Sequence, residues 1–331
     1  MTYTSYAFAI FIAVIICIYY MVHKKCQWVV LLISSITFYL CSGYVFLVYL
    51  LTFSFITWCG ARRLEKQESY RKISLAVLVF LNIGILFIVK WSSMELALLN
   101  RLLGTDLAWR FVLPLGMSFF TFQNTSYVID VYRGKIPAEK NFWHYLLYSS
   151  YFPYIVSGPI NRYEKMEKQL FTAHYFHKDS FYQGMLRILW GCLKKMVIAD
   201  RAAIFVNEVF GHYYMYRGLF IVFAVLLFSL QLYMDFSGCM DIVIGVSKLF
   251  GIDMMENFNA PYGAATTAEF WRRWHISLTS WFQEYIYIPL GGNRKGKIRK
   301  YLNIMIVFLF CGMWHGAGLT FLIWGFLNGS S

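Results

Sequence analysis

The stretch TTAEFWRRWHISLTSWFQEYIYIPLGGNRKGKIRKYLNIMIVFLFCGMWHG, residues 266–316, places two histidines, His275 and His315, where polar side chains are otherwise scarce. From Ile304 to Leu327 no residue is charged. Read as one helix at about 1.5 Å rise per residue, this run crosses a hydrocarbon core of about 30 Å, with His315 roughly 16 Å from its start. An imidazole is costly at that depth, and ionisable groups there usually face a protein interior or a water-filled cavity. Gly312, Gly316 and Gly318 remove side chains around it, which permits close approach of a ligand or of another backbone. Glycine-rich helix packing explains those glycines equally well.

The first half of the stretch predicts a helix of its own. Thr266 followed by Glu269 has the form of a capping box, and Pro289 stops the helix. On that helix Glu269, Arg273, Ser277, Ser280 and Glu284 share a polar stripe, and Glu269 pairs with Arg273 at i,i+4. Trp271, Trp274, His275, Leu278, Phe282 and Tyr285 take the other side. A lone histidine on an apolar face is more often a satisfied core residue than a catalyst, so His275 by itself decides nothing.

Outward from this stretch the composition sets the class. Of 331 residues 59% are hydrophobic and only 14% charged, and the mean hydropathy is +0.52, which puts the chain among multi-pass membrane proteins. Residues 1–22 carry no charge, so no basic region precedes the apolar run, and Tyr6 to Val22 reads as a first span rather than a signal peptide. Cys26 to Ala61 is also charge-free, and Ser42-Gly43 near its middle predicts two short helices. Further apolar segments are Ile73–Val89, Phe111–Ile129 with Pro114 and Gly116, Phe142–Val156, Gly218–Met234 and Ile304–Leu327. Breaks inside such segments are tolerated where protein or water supplies hydrogen bonds, so bent or re-entrant helices around a cavity are expected. The seven cysteines form no CxxC pair and lie mostly in apolar runs, which reads as small buried hydrophobes rather than disulfides or zinc ligands.

A formal net charge of +13 raises the nucleic-acid class. The basic residues sit mostly in loops between apolar segments, however: Arg62, Arg63, Lys66, Arg71 and Lys72 in one cluster, Arg294, Lys295, Lys297, Arg299 and Lys300 in another. Anionic membrane headgroups account for them better than DNA does, and the positive-inside rule places both loops on the cytoplasmic side.

Residues 161–187 form the most polar interlude and include His174-x4-Asp179, a spacing used by glycerolipid acyltransferases. That spacing arises readily by chance, and a solvated loop or interfacial helix accounts for the segment. His174 and His177 lack a third metal-ligating partner. Met185 to Phe210 mixes an apolar stripe with charges and predicts an interfacial or cavity-lining helix. Asp235 and Asp241, after the run ending at Met234, are either membrane-depth carboxylates partnered by Arg272 or Arg273, or sit at a helix end near water. No internal repeat, phosphate-binding glycine loop or GxSxG elbow is present.

The words EFWRRWHISLTSWFQEYIYIPLGGNRKG and MWHG resemble the signature of the membrane-bound O-acyltransferase superfamily, in particular its alginate O-acetyltransferase-like branch, with D-alanyl teichoic-acid transferases as near relatives. SFFTFQNTSYVIDVYRG (118–134), YFPYIVSGPINRY (151–163) and YMDFSGCMDIVIG (233–245) resemble the same branch, so the likeness covers most of the chain from about residue 110 onward. It implies an all-α, multi-pass protein of the cell membrane, with transmembrane and re-entrant helices ringed around a central chamber, and residues 1–331 forming one domain. The relatives continue through further membrane segments after MWHG, so a chain truncated at its C-terminus is expected.

An alcohol attacks a thioester slowly unless a base takes its proton, which a neutral imidazole can do and then return to the leaving thiolate. The expected activity is therefore acyl transfer to a hydroxyl, with His315 as the base. His275 orients the acceptor or donates to the developing oxyanion, and the resemblance implies the same pair. Trp274, Arg273, Asp235 and Trp314 are assigned to the substrate channel. No metal and no bound cofactor is expected. The co-substrate implied by the resemblance is an acyl thioester, acyl-CoA or the phosphopantetheine of a carrier protein, arriving from the cytoplasm. The implied partners are membrane lipids, a secreted or membrane-anchored acetyltransferase and a cell-surface polysaccharide. Gln283 stands where this branch usually carries a basic residue, so the resemblance carries no donor-phosphate role over to that position. D-alanyl transfer to teichoic acid is one alternative, and a polyprenyl-sugar flippase or other transporter with a proton-relaying histidine is another.

Overall fold

Helices supply all the regular structure among the residues that a computed structural model describes, 2–103 and 116–331. Residues 111–115, where the segment predicted over 111–129 begins and where Pro114 lies, fall outside them. The first helix, α1, runs over Tyr6–Met21, and the charge-free run after it divides into α2 (Gln27–Leu40) and α3 (Tyr44–Lys66), parted at Ser42-Gly43 as expected. Next come α4 (Arg71–Val79) and α5 (Ile85–Leu103), joined without interruption by a π-helical turn at Phe80–Gly84.

The centre of this half is α6 (Met117–Tyr132), and nearly every residue of it is buried although it mixes Thr121, Gln123, Asn124, Thr125, Ser126 and Asp130 with aromatics. A helix without a polar face is buried on all sides. Here α3, α4 and α7 (Phe142–Ser150) surround it. Two of its polar side chains are bonded from other elements: Tyr145 donates to Asn124 Oδ1 at 2.9 Å and Tyr285 to Asp130 Oδ2 at 2.9 Å. The segment expected over 142–156 stops at Ser150, because Pro153 and Gly158 turn the chain before it can span anything.

After α8 (Tyr163–Leu170), the helices α9 (Lys178–Cys192) and α10 (Asp200–Gly211) are joined by a second π-helical turn at Leu193–Ala199. They pack along α11 (Leu219–Leu249), whose 31 residues extend over about 46 Å. Its first half exposes Leu219, Phe220, Val222 and Phe223, while its second half, from Ser237, is buried. Gly184 and Gly191 lie opposite Gly245 and Gly238, so the two helices run antiparallel with backbones nearly touching. A Cβ on Gly191 would come within 2.6 Å of Gly238 O and 2.8 Å of Ile242 N, and backbone cannot rotate away. Gly191→Val is expected to cost about 1–3 kcal/mol or more. A thermal unfolding midpoint in detergent equal to that of the wild type would refute this.

Two expectations about α11 are corrected. The segment predicted to end at Met234 continues to Leu249, so Asp235 and Asp241 lie inside a helix and not at its end. Nor do Arg272 or Arg273 pair with them. Asp235 meets Lys195 at 2.6 Å, and Asp241 meets Arg187 at 3.0 Å as well as Lys194. The cysteine reading is corrected too. Only Cys311 is buried, and Cys17, Cys26, Cys41 and Cys59 face outward, because an apolar run in such a chain faces outward as readily as inward.

The deciding stretch folds as three helices, α12 (Thr267–Arg273), α13 (Ile276–Phe282), which passes into a π-helical turn at Gln283–Tyr287, and α14 (Gly296–His315); α15 (Leu319–Ser330) follows it. The single helix expected over 304–327 is therefore a hairpin. It turns at Gly316–Gly318, where Gly318 takes φ 150°, and the two arms pack through glycine, Gly312 on the Phe321 carbonyl and Gly325 on that of Phe308. Tyr44–Lys66, Arg71–Ser92 and Leu219–Leu249 are long and apolar enough to cross a membrane.

Candidate active site

The helix predicted from Thr266 begins as expected. Thr266 Oγ1 accepts from the Glu269 N–H at 3.1 Å, and Glu269 returns a bond to the Ala265 N–H at 2.9 Å, one residue earlier than in a standard capping box. Glu269 and Arg273 pair at 2.5 Å. The stripe beyond them does not survive, because the helix breaks at Trp274-His275. Trp274 is extended and His275 takes the left-handed conformation at φ 46°, which costs a residue with a Cβ about 1–2 kcal/mol.

What holds the break is a chain segment distant in sequence. Asn259 N–H donates to Arg273 O at 3.0 Å, and Ile276 N–H donates to Asn257 O at 2.9 Å. The Asn257 side chain then takes the Ser277 N–H at 2.9 Å and lies 3.3 Å from His275 Nδ1. Strain of this kind persists where the surroundings over-determine it, and it concentrates at functional sites. Both Asn257 and His275 are buried, at 1% and 4% exposure, so this corner is fixed and not a mobile loop.

His315 is the last residue of α14. The hairpin turn leaves the final carbonyls of α14 without helical partners, and α5 supplies them: Trp91 Nε1 donates to Met313 O at 3.2 Å and Lys90 Nζ to Trp314 O. His315 itself is exposed, with no hydrogen bond at its ring from the described residues, and stands 5.1 Å from the Trp324 ring.

Both histidines open on one cavity of about 1000 Å³ between α11, α12–α13 and the α14–α15 hairpin. Its wall includes Phe236, Trp274, Phe321 and Trp324, and it reaches Tyr287 and Lys300 toward the basic end of α14. Along α14 from Lys300 to His315 is about 22 Å. Large apolar cavities with a few convergent polar groups are the usual form of a small-molecule site.

Of the six residues assigned from sequence, His275, His315 and Trp274 line this cavity. Trp314 is buried between the two histidines, its ring 6.4 Å from His275 and 4.7 Å from His315. Arg273 is turned to Glu269 and Asp235 to Lys195, so neither belongs to the channel wall. Gln283 does line it. Sequence reading missed Asn257, for which no signal exists, and Lys90, for which one does: a lone cation closing the apolar run from Ile73.

The motif words also meet in space. Arg162 from the 151–163 word and Lys135, just past the 118–134 word, both pair with Glu284, at 3.2 and 3.3 Å. Trp281 Nε1 donates to Phe122 O at 3.0 Å. These contacts seat α13 and its π-helical turn against α6, so the wall carrying His275 rests on the buried centre of the fold.

Comparison with known proteins agrees with this assembly. The chain is 35% identical to the probable alginate O-acetylase AlgI of Pseudomonas aeruginosa over 343 aligned residues, covering 99% of this chain and 65% of that protein. It is 34% identical to a peptidoglycan O-acetyltransferase of Helicobacter pylori, across 80% of this chain and 55% of the relative. With a teichoic acid D-alanyltransferase of Bacillus subtilis it shares 29% identity over 64% of its length and 56% of the relative's. The likeness thus reaches further toward the N-terminus than the motif words do, while the chain spans just under two thirds of the length of the alginate O-acetylase. A family model described as the membrane-bound O-acyltransferase family matches residues 135–330, and with these relatives it shows that this chain, a membrane protein, belongs to that family.

Proposed function

We propose that this protein is a multi-pass O-acyltransferase of the cell membrane that moves an acyl group from a cytoplasmic thioester to a hydroxyl on the far side. The observation that carries the reading is that two imidazoles, one at the α12–α13 break and one at the end of α14, open on one large apolar cavity. In the proposed reaction the hydroxyl oxygen attacks the thioester carbonyl, the C–O bond forms and the C–S bond breaks. His315 takes the hydroxyl proton and returns it to the leaving thiolate, and His275 is its companion. Trp274 and Trp314 shape the passage, and the helices that wall the cavity form one arc of a ring around the chamber.

The basic cluster Arg294–Lys300 marks the cytoplasmic end, where an acyl-CoA or a phosphopantetheine-bearing carrier protein delivers the donor. The names of the alginate and peptidoglycan relatives support acetyl as the group moved and a cell-surface polysaccharide as the final acceptor, reached directly or through a partner acetyltransferase. The D-alanyltransferase relative supports a second reading, in which the group is D-alanyl and the acceptor teichoic acid.

Radiolabelled acetyl or D-alanyl thioester supplied on the basic-loop side of vesicles carrying the whole protein is expected to yield a new ester on the opposite side, and the label that transfers identifies the acyl group. A flippase or other transporter would move solute without forming an ester, and that result would overturn the proposal.

A further inference from the structure

The amide of Asn257 has only one orientation that satisfies its neighbours. Its Oδ1 accepts the Ser277 N–H at 2.9 Å, and its Nδ2 faces Met240 Sδ at 3.3 Å. Turning the amide over would set an NH2 group against the Ser277 N–H, donor against donor. The atom that His275 Nδ1 meets at 3.3 Å is therefore an oxygen. Two bare acceptors would repel at that distance, so Nδ1 is the nitrogen that carries a proton. The left-handed backbone at His275 leaves the ring little freedom to choose otherwise: Ile276 and Ser277 are both tied to Asn257, and the Phe236 ring packs edge-on 4.8 Å from the imidazole.

We propose that Asn257 is a positioning residue that holds His275 in the Nδ1–H tautomer, so that Nε2 offers a lone pair to the cavity. For its consequence, though not for its geometry, this rests on the acyl-transfer reading. In the neutral state His275 then accepts a hydrogen bond from the cavity and has none to give. Its role is to receive a hydroxyl of the acceptor and hold that substrate in place while His315 takes the proton of the attacking group. Oxyanion stabilisation falls to other donors. The arrangement parallels the general rule that the tautomer of a working histidine is set by the bond at its other nitrogen.

The tautomer can be read without any substrate. The whole protein, labelled with 13C and 15N at histidine and held in detergent or nanodiscs, gives ring signals that separate Nδ1–H from Nε2–H forms. Among the seven histidines, the His275 signal is the one lost in His275→Gln. The expected wild-type state is Nδ1–H, opposite to the form an unconstrained imidazole favours. Asn257→Asp, which keeps the accepting oxygen, is expected to retain it, whereas Asn257→Ala is expected to release it to a mixture. Asn257→Ala should also lower kcat about tenfold to a hundredfold with a smaller change in KM.

An Nε2–H ring in the wild type would overturn the inference whatever the variants do, so a failure of Asn257→Ala to fold does not shield it. An Nδ1–H ring in a protein that forms no ester from either thioester would sink the acyl-transfer reading and leave the positioning of His275 standing.

Discussion

Replacing His315 by alanine in the whole protein is expected to reduce ester formation at the cell surface by about 10²–10⁴-fold, the range that a positioned general base contributes, while protein abundance stays at the wild-type level. The reason for expecting so clean a separation is local. The ring of His315 makes no hydrogen bond to the described residues and is exposed to the cavity, so its loss leaves none of their buried polar groups unpaired. The end of α14 is held instead by Lys90 and Trp91 on the carbonyls of Trp314 and Met313, and neither contact involves the imidazole. Ester content of surface polymers, measured beside an immunoblot of the membrane fraction, checks both halves of the prediction. Undiminished ester would remove His315 from the mechanism; lost protein would show that the residue serves the fold.

Asp241→Ala is expected to do the reverse, costing about 3–5 kcal/mol of stability through a residue that does not touch the cavity. Asp241 and Lys194 are 9% and 8% exposed, and Asp241 also binds Arg187. Removing the carboxylate leaves the Lys194 ammonium buried without a counter-charge, whereas Arg187 keeps Glu256. The π-helical turn at Leu193–Ala199 sharpens the effect, because it brings the adjacent residues Lys194 and Lys195 both onto α11, the second of them to Asp235. The measurement is the thermal unfolding midpoint in detergent. Lys194→Met combined with Asp241→Leu, which removes both charges, is expected to recover most of the loss; a double variant as unstable as Asp241→Ala would mean that the ion pair is not what the helix pair depends on.

Much of this was legible from residue types. Composition and runs of uncharged residues set the class and located α1, the α2–α3 pair and the start of α11, since a chain that must face lipid cannot scatter charge. Thr266 and Glu269 announced the start of α12, because a cap is a contact between near neighbours and needs no tertiary structure. The motif words pointed to His275 and His315 before any geometry was available.

Other features could not be read this way. No glycine or proline stands at Trp274-His275, so the periodicity ran straight through a place where the helix breaks; Asn257, from a separate segment, supplies the hydrogen bonds that make the break worth its strain. The run from Ile304 to Leu327 is as apolar as a span, and only the packing of Gly312 and Gly325 against the opposite arm shows that it doubles back. Asp235 and Asp241 read either as membrane-depth carboxylates partnered by Arg272 or Arg273 or as a helix end, yet they lie within α11, where lysines and an arginine from α9 and its π-helical turn neutralise them in place. By itself the sequence determined that this chain is helical, lies in a membrane and carries two histidines near its end. Tertiary structure alone decided that those histidines share one cavity, because hydropathy and caps act over a few residues, whereas the contacts that bend α12–α13 and fold back α14–α15 join groups far apart in the chain.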